Sequence, residues 1–155
     1  MEKEKTVNAL NRLVVINKDR IEGYEKASEN TEEKDLKSLF AKFVQTSQKC
    51  RNELITEIEK LGGKAEDGTK ISGKFFRAWM DARSALTGKD RKAILSSCEQ
   101  GEEKAIEVYK DVLNDHDKSW QLTPKLKSLI KNQYDLINSD KGKIRSMHNE
   151  AVEAF

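Results

Sequence analysis

The chain has 155 residues, with 29 Lys and Arg against 27 Asp and Glu, two His, two Cys, eight Gly and a single Pro. That length suits one domain over 1–155, able to bury roughly two-thirds of its unfolded surface, and so few turn formers argue against a sandwich or barrel and for long helices. A net charge of +2 with interleaved signs gives no footprint for nucleic acid or an anionic membrane, and two cysteines make no disulfide framework.

Apolar residues recur at spacings of three and four, the period of a helix with one buried face. The first such stripe runs Val7, Leu10, Val14, Ile21 and Tyr24, with Asn17 inside it. Asn30 with Glu33 reads as a capping pair opening a second helix, whose stripe is Leu36, Phe40, Phe43, Ser47, Cys50, Leu54 and Leu61. Gly62-Gly63 closes it, since glycine takes the left-handed conformation at little cost. A shorter helix is expected over Lys74 to Leu86, closed by Gly88. The third long stripe is Leu95, Cys98, Glu102, Ala105, Tyr109 and Val112. Thr123-Pro124 then opens the last helix, a capping hydroxyl followed by proline at the first helical position. Its stripe is Leu126, Ile130, Gln133, Ile137, Asp140, Ile144, Met147 and Ala151. No segment approaches the ~20 apolar residues of a membrane span, and Met1 to Lys5 lacks a signal-like apolar stretch, so a cytoplasmic protein is expected.

Connection lengths select the topology. The first two long helices are joined by a few residues near Asn30, and the last two by about Asp115 to Leu122, so each pair forms an antiparallel hairpin. Gly62 to Gly88 separates the hairpins. Its extended part alone spans ~36 Å at 3.3 Å per residue, comparable to the ~40 Å of a 27-residue helix. Two helical hairpins joined by one long crossover is the ferritin-like four-helix bundle, all-α and distinct from a simple up-down bundle. Phe75, Phe76, Trp79 and Met80, apolar on two sides of the crossover helix, are the candidate surface for self-association into a homo-oligomer such as a dimer.

Bundles of this kind can hold two metal ions with a Glu from each of two helices and Glu-x-x-His from each of the others. Carboxylates neutralise the cations and imidazoles complete their coordination. Glu102 lies on the third stripe with Glu99 one turn earlier, and a lone buried Glu is costly unless paired, protonated or metal-bound. No Glu-x-x-His occurs. The expected reading of Asn17, Ser47, Glu102, Gln133 and Asp140 is therefore a buried hydrogen-bond network of neutral donors that fixes register. The rival reading is an iron or manganese site, with Glu99 and Glu102 joined by Glu22 or Glu25, Glu53 or Glu57, and Asp140. Glu53 and Glu57 otherwise read as a solvated face. The first and third helices also match 85 residues apart, pairing Leu10 with Leu95, Asn17 with Glu102, Ile21 with Ile106 and Tyr24 with Tyr109. Cys50 and Cys98 read as small apolar core residues, and Asp115-His116-Asp117 as a polar turn.

Asn11-Arg12-Leu13, Lys18-Asp19, Glu22-Gly23-Tyr24, Gly73 to Trp79 with Met80-Asp81, Leu86-Thr87-Gly88, Ile94-Leu95, and Cys98-Glu99-Gln100-Gly101-Glu102-Glu103 with Tyr109 form a recognisable set. The chain resembles a bacterial family of ferritin-like four-helix-bundle proteins catalogued as a domain of unknown function. The resemblance implies the ferritin-like fold, oligomers and a link to stress response, and no established reaction. Where relatives carry His-Arg ahead of Gly-Trp, this chain has Phe76-Arg77-Ala78-Trp79, and where they carry a histidine ahead of Ile-Arg it has Lys141 before Ile144-Arg145. Both changes remove an imidazole. The function expected is that of a non-enzymatic, self-associating bundle without a cofactor, the alternative being a di-metal carboxylate protein that handles iron or peroxide.

Overall fold

The computed structural model describes residues 2–66, 91–114 and 122–153. Four helices carry them: α1 (Glu2–Glu29), α2 (Lys34–Lys60), α3 (Arg91–Leu113) and α4 (Pro124–Glu153). The expected crossover helix, its closing Gly88, the candidate surface of Phe75, Phe76, Trp79 and Met80, and the Asp115–Asp117 turn lie outside the described residues.

Each helix forms because its apolar residues return to one face at the helical period. On α3 that face buries Leu95, Cys98, Glu102, Ala105, Tyr109 and Val112, as the spacing predicts. On α2 it buries Leu36, Phe40, Phe43, Ser47, Cys50, Leu54 and Ile58, so Ile58 takes the place expected for Leu61. On α4, Leu126, Ile130, Gln133, Ile137 and Ile144 are buried, while Asp140, Met147 and Ala151 are only partly so. On α1, Ile21 is half-buried and its neighbour Arg20 points inward instead.

The helix ends explain the chain reversals. The amide of Gly62 donates to the Glu59 carbonyl at 2.9 Å and that of Gly63 to the Ile58 carbonyl at 3.0 Å. This is a Schellman ending, with Gly62 at φ +76°. A Cβ on Gly63 would come within 2.6 Å of Val7 Cγ2, so a glycine lets the end of α2 sit against the start of α1. At α4, the Leu126 amide donates to Thr123 Oγ1 at 3.2 Å, the predicted cap. The start of α2 differs from expectation. It begins at Lys34, and Glu33 at its cap position makes no side-chain cap bond. The Asn30 amide bonds back to the Lys26 and Ala27 carbonyls, so Asn30 ends α1 and does not open α2. Thr31 is the buried turn residue, its Oγ1 accepting from the Glu33 amide at 3.2 Å.

The helices form a ring in which α1 lies beside α2 and α3, and α4 beside α3 and α2. Cross-helix pairs show that α1 runs antiparallel to both α3 and α2. Arg12 meets Asp111 while Arg20 meets Glu102, and Lys37 reaches the Ser28 carbonyl while Asn11 reaches that of Lys64. Residue 66 is tied to the start of α1, since the Glu66 amide donates to Asn11 Oδ1 at 2.7 Å. Arg91, at the start of α3, is bound at the opposite end by Glu33, which precedes α2, and by Asp35 in its first turn, at 3.1 and 2.9 Å. The connection between hairpins therefore joins opposite ends of the bundle, which is the crossover topology the sequence predicts.

The interior is divided. Leu10, Leu13, Val14, Leu54, Ile58, Ile106, Val112 and Ile130 belong to one apolar cluster. Tyr24, Phe40, Phe43, Ile94, Leu95, Cys98 and Ile144 belong to another. Tyr24 lies against Phe40 and Phe43, with ring centroids 5.5 and 5.2 Å apart. Between the clusters along each helix come polar side chains, and these define the site.

Candidate functional site

Arg20 lies three residues after Asn17 and four before Tyr24, which places it on the inner face of α1. Its side chain is fully buried. Nε donates to Glu102 Oε1 at 2.6 Å and Nη2 to Glu102 Oε2 at 2.7 Å, the parallel two-bond geometry in which a guanidinium and a carboxylate fit best. Nη1 donates to Ser47 Oγ at 2.7 Å, and Nη2 also to Asp140 Oδ2 at 3.1 Å. Ser47 Oγ in turn donates to the Phe43 carbonyl at 2.9 Å. Arg20 thus ties α1 to α2, α3 and α4 in one layer. Its guanidinium carbon also stands 5.7 Å from the centre of the Tyr24 ring, within range of a cation–π contact.

Burial acts to lower the Arg20 pKa, but the Glu102 carboxylate outweighs it and holds the guanidinium more basic than usual. Asp140 feels the opposite balance. Burial lifts its carboxyl to about 6, with Arg20 pulling it down and Glu102 pushing it up. Tyr24 is raised well above its ordinary value by burial and then by the Glu102 charge.

A second polar layer lies nearer the start of α1. Asn17 Nδ2 approaches the Leu13 carbonyl at 2.9 Å and the Tyr109 hydroxyl at 2.8 Å. That hydroxyl donates to Gln133 Oε1 at 2.7 Å, and Gln133 Nε2 donates to the Cys50 carbonyl at 3.1 Å and to Glu53 Oε1 at 3.0 Å. This layer also involves all four helices. Burial raises the Tyr109 pKa, so the phenol stays protonated as the donor this chain of bonds requires.

The two layers bring together Asn17, Ser47, Glu53, Glu102, Gln133 and Asp140. The outer acids stand apart. Glu99 meets His148 Nδ1 at 3.2 Å and Arg145 at 3.6 Å. Glu22 is 3.9 Å from Lys18 on its own helix, Glu25 is exposed, and Glu57 faces Lys60 and Lys125, each at 3.7 Å. The expected network of neutral donors is corrected at its centre, because Glu102 is satisfied by a cation. The apolar spacing does not single out Arg20, since arginine is seldom fully buried unless paired. Its spacing from Asn17 and Tyr24 was the available signal.

The side chains present do not fit a two-metal centre. Both Glu102 oxygens are taken by Arg20, Asp140 shares the same guanidinium, and the position matching Glu102 on α1 is the neutral Asn17. Among the described residues, no three His, Cys, Asp or Glu side chains gather as metal ligands. Cys50 and Cys98 are free and buried. Burial pushes the Cys50 thiol up to about 11 and Cys98 well above its ordinary value, which disfavours the nucleophilic thiolate.

Fold and site together define a ferritin-like four-helix bundle whose centre is held by an arginine–carboxylate pair. Residues 5–115 match the family described as a domain of unknown function (DUF2383), and the chain belongs to that family. No curated protein matches it. Among solved structures it is similar to a two-domain protein from Anabaena variabilis containing DJ-1/ThiJ/PfpI-like and ferritin-like domains, with TM-score 0.75 and 17% identity over 100% of this chain. The chain spans 39% of that protein's length. It is also similar to a dodecameric thioferritin, the bacterioferritin-related protein from Bacteroides fragilis, with TM-score 0.73 and 15% identity, covering 100% of this chain and 92% of that one.

Proposed function

We propose that this chain is a non-enzymatic, metal-poor ferritin-like bundle, one domain over 1–155, that acts by associating with copies of itself. The Arg20–Glu102 pair carries the reading. A buried carboxylate needs a counter-charge, and here a covalently fixed guanidinium supplies it on two bonds of 2.6 and 2.7 Å. With that need met from within, the centre has no call for iron or manganese, and the bundle is left a structural role. Self-association has the support of a similar fold described as dodecameric. A reducing, cytoplasmic setting agrees with two free buried thiols, and no helix among the described residues is long and apolar enough to cross a membrane. A role in stress response, which the family resemblance implies, completes the proposal.

Metal analysis joined to light scattering tests it. Protein grown in iron-rich medium and purified without chelators should carry well under one iron or manganese per chain and elute as a defined oligomer. One to two ions per chain, lost in Glu102→Gln, would establish the di-metal alternative, and a monomer at all concentrations would remove the association.

A further inference from the structure

We infer that the Arg20 side chain is a built-in substitute for a divalent cation, and that shortening it opens a cation site between Glu102 and Asp140. The inference rests on the metal-poor reading and extends it, because it assigns the absence of metal to one residue.

The guanidinium does what a bound ion would do at this place. It sits between two carboxylates from different helices, Glu102 on α3 and Asp140 on α4, and bonds both. It also takes the Ser47 hydroxyl oxygen of α2 at 2.7 Å. Three oxygen-bearing side chains from three helices therefore converge on one positive group. That is the donor chemistry of a hard divalent ion such as Mn2+, and the position is held by a side chain of α1. Arg20, Glu102 and Ser47 are buried, and only the Asp140 side chain of the four, 14% exposed, reaches towards solvent. Two carboxylates left facing each other in such a place repel, so removing the guanidinium creates a demand for a cation that water alone meets poorly. Asn17, which matches Glu102 in the 85-residue correspondence of α1 and α3, supplies no second α1 charge. One ion per chain, and not two, follows from that.

The test is Mn2+ binding, followed by electron paramagnetic resonance and calorimetry, to the full chain and three variants. Arg20→Ala should bind one Mn2+ per chain at least tenfold more tightly than the unmodified protein. Arg20→Ala/Glu102→Gln should lose that gain. Arg20→Lys, which keeps a cation in the site, should bind no better than the unmodified chain. Should Arg20→Ala be unfolded in the absence of metal, millimolar Mn2+ should restore its helical circular dichroism. Equal binding by Arg20→Ala and the unmodified chain, a gain untouched by Glu102→Gln, or an unfolded Arg20→Ala that Mn2+ leaves unfolded would each overturn the inference. Metal found in the unmodified protein would instead defeat the metal-poor reading, so the two failures are distinguishable.

Discussion

Asp19 and Arg20 are adjacent on α1 and both buried, yet they meet opposite fates. Arg20 makes four hydrogen bonds to side chains of three other helices. Neither oxygen of Asp19 has a hydrogen-bond partner among the described residues. Burial, with Glu22 adding to it and Lys18 opposing it, lifts the Asp19 carboxyl from 3.8 to about 7. A carboxyl whose pKa is raised on folding binds its proton more tightly in the native state. Its contribution to stability is full below about pH 4 and is lost as pH rises to about 7. Asp140, at about 6, acts in the same sense over a lower window. Asp19→Asn should therefore raise the thermal midpoint at pH 8 by about 4–8 °C, taking roughly 2 kcal/mol of relief at 2–4 °C per kcal/mol. At pH 4 it should change little. Melting curves from pH 4 to 8 check this, and parallel curves for the two proteins would contradict it.

At the scale of the elements, each helix is apolar at both ends of its buried face and polar near the middle. The polar middles meet as two layers, each drawing on all four helices. A layer of this kind constrains register, because sliding one helix by a turn would strand a buried charge or amide against an apolar neighbour. Glu102→Gln leaves the buried guanidinium short of its main counter-charge and should cost about 3–5 kcal/mol, roughly a 10 °C fall in midpoint. Arg20→Met/Glu102→Leu removes both charges and should lose clearly less than the two single changes summed. Thermal melts of the four proteins check the cycle, and additive losses would contradict it.

How far the sequence disclosed these elements depended on the kind of signal. The stripes of α2 and α3 were legible because apolar residues at a 3.6-residue period have one plausible use in a charged chain of this length. The Thr123-Pro124 start was legible because its chemistry is local. Asn30 is ambiguous for the complementary reason: it can serve a helix end as well as a helix start, and the Thr31 turn decides between them. Glu102, Asn17, Gln133 and Asp140 were legible as polar residues in apolar stripes. Arg20 was not, because Ile21 beside it offered the expected apolar residue and a buried arginine makes sense only once its carboxylate is known to lie opposite. That pairing joins residues 82 apart in sequence, and the antiparallel contact of α1 with α3 creates it.

For the molecule as a whole, the crossover topology determines what the centre can be. Running the connection from the end of α2 to the far end of the bundle makes α1 and α3 antiparallel neighbours and sets Arg20 opposite Glu102. The same backbone with carboxylates and imidazoles on its four seams would suit metal chemistry; with Asn17, Arg20, Ser47 and Gln133 there, the charge is balanced by the protein itself. A crystal structure of protein grown in iron-rich medium, with diffraction recorded at the iron and manganese absorption edges, tests this most directly. Planar guanidinium density joined to both Glu102 oxygens, with no anomalous peak in the bundle centre, is the expected result. An anomalous peak on the Glu102 carboxylate, with the Arg20 side chain turned away from it, would show instead that a metal ion supplies the counter-charge.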